Sequence, residues 1–305
     1  MRSAVMDRHR RMLVALATFV TLSVLGCGGP AATDTPASPP TPAPTASATP
    51  SAEPPTPGPS SSPSATPVET MVVDAWFVKD EKLAVVHREV PRTVAVLRAA
   101  IEELLRGITF TDASYGLSTA IPAETELRGV DLADGTATID LSSAFESGGG
   151  SLSMMARMAQ LVFTATQFPT VERVELWLDG EPVEWIGGEG LIVVPPQTRR
   201  DHDGMSGAIV VEDPGVGDAV SSPLRVTGAA NVFEAVVSLE LRDADGRVLV
   251  DTFTMATAGT GTWGTYDATL SFPPVQGPLE LEVYAVSPKD GSRIERVVYP
   301  LEGSS

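Results

Sequence analysis

From Gly28 to Val68 the chain is built almost wholly of Pro, Thr, Ser and Ala, and only Asp34 and Glu53 in that stretch are charged. Such a segment cannot bury enough apolar surface to offset the entropy of ordering it. Thirteen of the 26 prolines lie between Pro30 and Pro67. They favour extended, polyproline-like backbone at about 3.1 Å per residue, which makes the segment a stalk with a reach on the order of 100 Å. Of 305 residues, those beyond it must supply every core. That length suits about two domains.

The residues before the stalk read as an address. Arg2, Arg8, Arg10 and Arg11 precede an apolar run from Met12 to Leu25, then Gly26 and Cys27. A basic start, a short apolar stretch and a small residue describe a secretory signal. The run falls short of the about 20 residues that span a bilayer. Val24-Leu25-Gly26-Cys27 resembles the lipobox of bacterial lipoproteins, in which the Cys is acylated and becomes the mature N-terminus. The single Cys of the chain stands at that position. An ordinary signal peptide with an incidental Cys is the alternative. Stable anchoring takes more than one acyl chain, and diacylation of Cys27 would supply it. Loss of residues 1–26 removes four Arg and Asp7, taking the formal net charge from −18 to −21. A chain so acidic is not expected to bind nucleic acid, which calls for a basic face. One Cys also excludes an internal disulfide framework or a Cys-based zinc site.

Residues 70–197 read as a first globular domain. Met71–Val78 and Leu83–Val90 are strands joined by the polar Lys79–Lys82 tetrad. Pro91 is expected to open a helix with Val94, Leu97, Ile101, Leu104 and Leu105 on one stripe and Gly107 as its stop. Alternating runs flank Ala133-Asp134-Gly135, a hairpin signal. A second helix carrying Met154, Met155, Met158, Leu161 and Val162 follows Ser147–Gly150. Val171–Leu178 is then a strand, and Val183–Ile186 with Leu191–Val194 are expected to complete the sheet. The pattern is α+β, two helices on a mixed or antiparallel sheet. Leu104-Leu105-Arg106-Gly107, Ile121-Pro122-Ala123-Glu124-Thr125, Gly135–Ser142, the Gly-rich Ser147–Ser151 and Val174–Gly180 together resemble the GerMN domain of bacterial germination and sporulation proteins and envelope lipoproteins. Ile108 departs from the Pro that the family commonly carries there. The resemblance rests on hydrophobic and turn positions and brings no catalytic residues.

After a polar linker, 198–207, short strand-like runs recur from residue 208 to 301, punctuated by Asp245-Gly246 and Asp290-Gly291 turns. About seven such runs without a long helix predict an all-β sandwich. Ser222–Gly228, Val232–Ala235, Asp243–Gly246 and Ser287–Ser292 make this region similar to the immunoglobulin-like Gmad-type domain of spore-germination and related envelope proteins. That resemblance implies extracytoplasmic binding or assembly.

The candidate chemistry is thin. His87 sits mid-strand and His202 in the linker, each expected to be satisfied or solvent-facing. In Asp243-Ala244-Asp245-Gly246, Arg247 and Thr254 stand where a calcium loop needs oxygen ligands. Ser147–Ser151 lacks a Walker lysine. Glu102-Glu103 and Glu280 with Glu282 are acid pairs better read as solvated faces than as a glycosidase pair. Trp76, Trp177, Trp185 and Trp263 are read as core and edge residues rather than a sugar platform.

The sequence therefore predicts no catalytic, cofactor-binding or metal-binding residues, with Cys27 as the lipidation site. It describes a non-catalytic lipoprotein on the extracytoplasmic face of the cell membrane, with the membrane and an envelope protein as partners. The alternative is a binder of peptidoglycan fragments or small ligands.

Overall fold

The computed structural model describes residues 69–304; the signal, Cys27 and the stalk to Val68 lie outside them. Strands β1 (Thr70–Lys79) and β2 (Lys82–Pro91) form an antiparallel hairpin. Asp80 and Glu81 turn it with φ of 50° and 64°, the double left-handed geometry that suits a two-residue hairpin loop. Helix α1 (Val96–Arg106) buries Leu97, Ala100, Ile101 and Leu104 and stops at Gly107, whose φ is +80°. Here the expected start is corrected: Pro91 ends β2, and Val94 lies before the helix, fully exposed. Pro91 already has its restricted φ within the strand, so the chain takes four more residues to turn. A capping box of Thr109 and Asp112 then opens α2 (Phe110–Ser114), and β3 (Leu117–Ser118) pairs with β1.

Strands β4 (Leu127–Ala133) and β5 (Thr136–Leu141) flank the Asp134-Gly135 turn. Helix α3 (Ser151–Ala165) crosses over to β6 (Arg173–Leu178), which lies parallel to β5. The crossover makes this sheet mixed, and the short β7 (Glu181–Pro182) closes it in the order β4-β5-β6-β7. The two runs expected to complete it instead form a separate hairpin, β8 (Trp185–Ile186) with β9 (Leu191–Ile192). Pro182, Pro195 and Pro196 lack the N–H groups a longer ladder needs. Both long helices pack on β1 and on each other. Inside α3, Arg157 is only 3% exposed and donates to the carbonyls of Ala120, Phe145 and Gly148 at 2.9, 2.5 and 2.8 Å.

The segment 198–207, expected to be a polar linker, is folded. Thr198 and Asp201 cap a 3-10 turn, Arg199–His202, followed by α4 (Asp203–Ser206), with His202, Met205 and Ser206 buried. Then come β10 (Ile209–Asp213), β11 (Ala219–Val220), β12 (Leu224–Ala230), β13 (Val236–Asp243), β14 (Val248–Met255), β15 (Gly264–Leu270), β16 (Gly277–Val286) and β17 (Arg293–Gly303). They form the expected sandwich, sheets β10-β12-β15 and β11-β17-β16-β13-β14. Val226, Leu239, Leu241, Leu270, Leu281 and Val283 fill its interior. On its outer side Glu240 and Glu282, directly opposite across β13 and β16, are buried under Arg242, Arg293 and Arg296. Both domains contribute to one hydrophobic cluster running from Ala75 to Leu301, and the described residues fall in one compact unit.

Candidate functional site

The strongest concentration of polar chemistry lies where the two domains meet. His87 on β2 stands directly opposite Asp74 on β1. The chain leaving β10, Glu212-Asp213-Pro214-Gly215-Val216-Gly217-Asp218, folds over that pair. Its backbone docks on both sides, Val216 N donating to Val85 O at 2.9 Å and Gly217 N to Pro300 O at 2.8 Å. Gly215 passes so close that a β-carbon there would lie 3.1 Å from the His87 backbone nitrogen and 3.3 Å from its ring Nδ1. This approach brings Asp218 Oδ2 to 2.6 Å from His87 Nδ1, and Glu212 O to 3.3 Å from Nε2. Asp74 Oδ1 is 3.6 Å from Nε2. Asp218 is itself held by the Gly215 N–H at 2.8 Å.

Burial disfavours the charged imidazole, but the Asp218 hydrogen bond and the charges of Asp218, Asp74 and Asp213 outweigh it and raise His87 to about 9. Burial raises Asp74 and Asp213, each partly offset by the His87 charge. His87 is therefore a cation at neutral pH, with both ring nitrogens acting as donors. One of those protons sits in a 2.6 Å charge-assisted bond between the domains. His87, Asp213 and Asp218 lie close enough to share a metal ion, which would have to displace the imidazole proton to bind there.

The seam extends on both sides. Arg199 pairs with Glu212 at 2.5 Å, donates to Thr166 Oγ1 at 2.8 Å and stacks over Phe163 and Trp76 at 4.8 and 5.7 Å. Tyr299 accepts from Val85 N at 3.3 Å and donates to Val211 O at 3.4 Å. Tyr115 donates to Glu302 at 3.0 Å, and Lys82 Nζ to Gly204 O at 2.8 Å. Two clefts flank these contacts. One of about 480 Å³ lies between Tyr115 and Pro300, and one of about 180 Å³ is lined by Phe163, Arg200 and Trp263.

The other residues singled out in the sequence stay apart. His202 is buried, its Nε2 without a partner, and burial lowers its pKa; it is neither satisfied nor facing solvent. Glu102 pairs with Arg98 on the surface, whereas Glu103 is buried against Arg106. Glu282 lies under Arg293 and Arg296. Asp243 closes its turn by accepting from the Asp245 and Arg247 amides. Met154 and Met158 are core residues. Trp76 is core, Trp185 is exposed on the β8–β9 hairpin, and Trp263 donates to Asp203 at 3.0 Å. Asp74, Glu212, Asp213, Asp218 and Arg199 escaped the sequence reading. The one local signal is the pair of glycines between two aspartates in Asp213-Pro214-Gly215-Val216-Gly217-Asp218.

Residues 67–184 match the family model described as sporulation and spore germination, and residues 208–292 match the immunoglobulin-like domain of bacterial spore germination. Among solved structures, the first GerMN domain of the sporulation protein GerM from Bacillus subtilis is 22% identical. It covers 43% of this chain and 100% of its own, with a TM-score of 0.37. The tandem GerMN domains of the same protein are 15% identical over 67% of this chain and 62% of theirs, TM-score 0.38. A protein from Clostridium perfringens described as a lipoprotein is 20% identical over 45% of this chain and 93% of its own, TM-score 0.33. No curated protein matches.

Proposed function

This chain joins a sporulation-and-spore-germination domain to an immunoglobulin-like domain of bacterial spore germination, and from that pairing we propose a non-catalytic envelope lipoprotein that docks or scaffolds another envelope protein. The observation that carries the reading is the His87 seam. The one histidine surrounded by carboxylates spends both ring nitrogens on contacts with Asp218, Glu212 and Asp74. It joins two domains into one body and keeps no free lone pair to act as a base. A rigid body on a long stalk suits presentation of a surface at a distance from the membrane, and lipid on Cys27 would hold its base on the extracytoplasmic face.

Two experiments test it. Metabolic labelling with a fatty acid is expected to mark the native chain and not Cys27→Ala; equal labelling would remove the anchor. Crosslinking in the native envelope is expected to join the folded unit to a specific envelope protein, and recovery of the uncrosslinked protein alone would remove the docking role.

A further inference from the structure

Strand β14 ends the five-stranded sheet and pairs only with β13 among the described residues. Five of its eight residues, Val248, Leu249, Val250, Phe253 and Met255, are apolar, yet none of the eight is buried. Val248 is 44% exposed, Phe253 67% and Met255 56%. Its neighbour β13 buries five consecutive residues over the same span. At its C-terminal end β14 closes against β15, through Thr254 Oγ1 to Asp267 O at 3.0 Å and Thr257 N to Thr265 O at 2.9 Å. From Val248 to Phe253 the outer side pairs with no strand among the described residues.

Unpaired backbone groups along an apolar strand are a template for another strand, and proteins blunt such edges with Lys, Pro or a cover. This edge has neither Lys nor Pro. Its single charge is Asp251, exposed and without an ion-pair partner among the described residues. Glu234, in the loop entering β13, is likewise exposed and unpaired. Removal of residues 1–26 leaves a net charge of −21, which repels a second copy and attracts a cationic segment.

We infer that the Val248–Phe253 edge receives an extended segment of alternating apolar and Lys/Arg residues from a partner protein, added to the sheet as a further strand. This rests on the docking role proposed above and names its surface and the chemistry of its partner. Asp251 and Phe253 project from the same face of β14. Backbone pairing therefore sets the register with the Lys/Arg side chains of the incoming strand on that face, a cationic head group at Asp251 and aliphatic stems over Phe253. Its apolar side chains lie on the other face beside Val250.

The probe is a fluorescein-labelled octapeptide, Thr-Lys-Val-Lys-Val-Lys-Val-Thr, titrated against the mature protein in non-ionic detergent and followed by anisotropy. Asp251→Lys and Phe253→Lys, both at exposed positions, are each expected to weaken binding about tenfold. Glu181→Lys, the same charge change at an exposed site on β7, is expected to leave it within about twofold. A peptide with proline at the central Val is expected not to bind, because it breaks the ladder. Equal weakening by all three variants, or no binding by the wild type, would overturn the proposal. So would self-association in sedimentation velocity that Phe253→Lys abolishes, since a second copy would then own the edge. Crosslinks that persist unchanged in Asp251→Lys and Phe253→Lys sink the edge and spare the docking role. Their absence in the wild type sinks the docking role itself.

Discussion

Raising the pH from 6 to 9.5 is expected to cost the folded unit about 3 kcal/mol, and most of that loss traces to His87. Its pKa is about 9 in the fold, against about 6.5 in an unfolded chain. Each unit of difference corresponds to about 1.4 kcal/mol. The folded state holds the proton more tightly, so the contribution is complete below about pH 6.5 and disappears as pH rises through about 9. The His87 side chain is largely shielded from solvent, at 20% exposure, so the interaction is weakly screened. Asp74 and Asp213 carry the same sign at another pH. Their pKa values are raised, so they favour the fold most when protonated and lose that contribution as pH rises through the carboxylate range. Urea unfolding at a series of pH values is the measurement. His87→Gln should lie about 3 kcal/mol below wild type at pH 6, converge with it near pH 9.5 and lack the wild-type slope. A flat wild-type profile across that window would show that the seam does not hold a proton.

Gly228→Ala is expected to be at least as damaging, destabilising by about 3 kcal/mol or more. Gly228 lies on β12 opposite Val211 of β10 and Tyr266 of β15. The Tyr266 side chain lies over it and donates to Val210 O at 3.0 Å. A β-carbon at Gly228 would sit 2.0 Å from that carbonyl oxygen and 2.7 Å from the Tyr266 hydroxyl oxygen. Neither neighbour has room to yield, because the carbonyl belongs to the strand backbone and Tyr266 is buried. Relief requires β10 to move, and β10 ends in Glu212 and Asp213 at the seam, so the damage reaches the domain contact as well. Thermal melts followed by circular dichroism should show it. Gly188→Ala is the control: open space surrounds that position and its φ is not positive, so a change within about 0.5 kcal/mol is expected. A Gly228→Ala protein that melts with the wild type would refute the close-approach argument.

These two positions also mark what was hidden in the sequence. His87 reads there as one residue of an alternating strand, and its aspartate partner Asp218 is 131 positions away. Gly228 reads as one glycine in a strand, with nothing to signal that the Tyr266 side chain covers it. Arg157 is a similar case. On helical spacing alone it sits among methionines and alanines, yet it is buried because three carbonyls from two separate segments, Ala120 and Phe145–Gly148, converge on it. Nearby turns were far more legible. Asp134-Gly135 adopts φ of 49° and 74°, and Asp179-Gly180 adopts 50° and 87°, because the residues that tolerate left-handed backbone are written at those positions. The failure over 183–194 has the opposite character. Its apolar runs are strand-like, but prolines on both sides leave too few donors to extend the ladder, and the runs pair only with each other.

By itself the sequence determined the main strands and the two long helices, both domain families and the Pro-rich composition of residues 28–68. Each of these is set by neighbours within a few residues, through side-chain period, turn chemistry and the entropy of Pro-rich backbone. Only the tertiary structure decided that 198–207 is part of the fold rather than a linker, that the two domains share one core, and that His87 is a cation shared between them. It also left β14 as an uncovered edge. Those outcomes depend on which residues meet across a hundred or more positions, and a charge, a close approach or an unpaired strand edge acquires its meaning only from what packs against it.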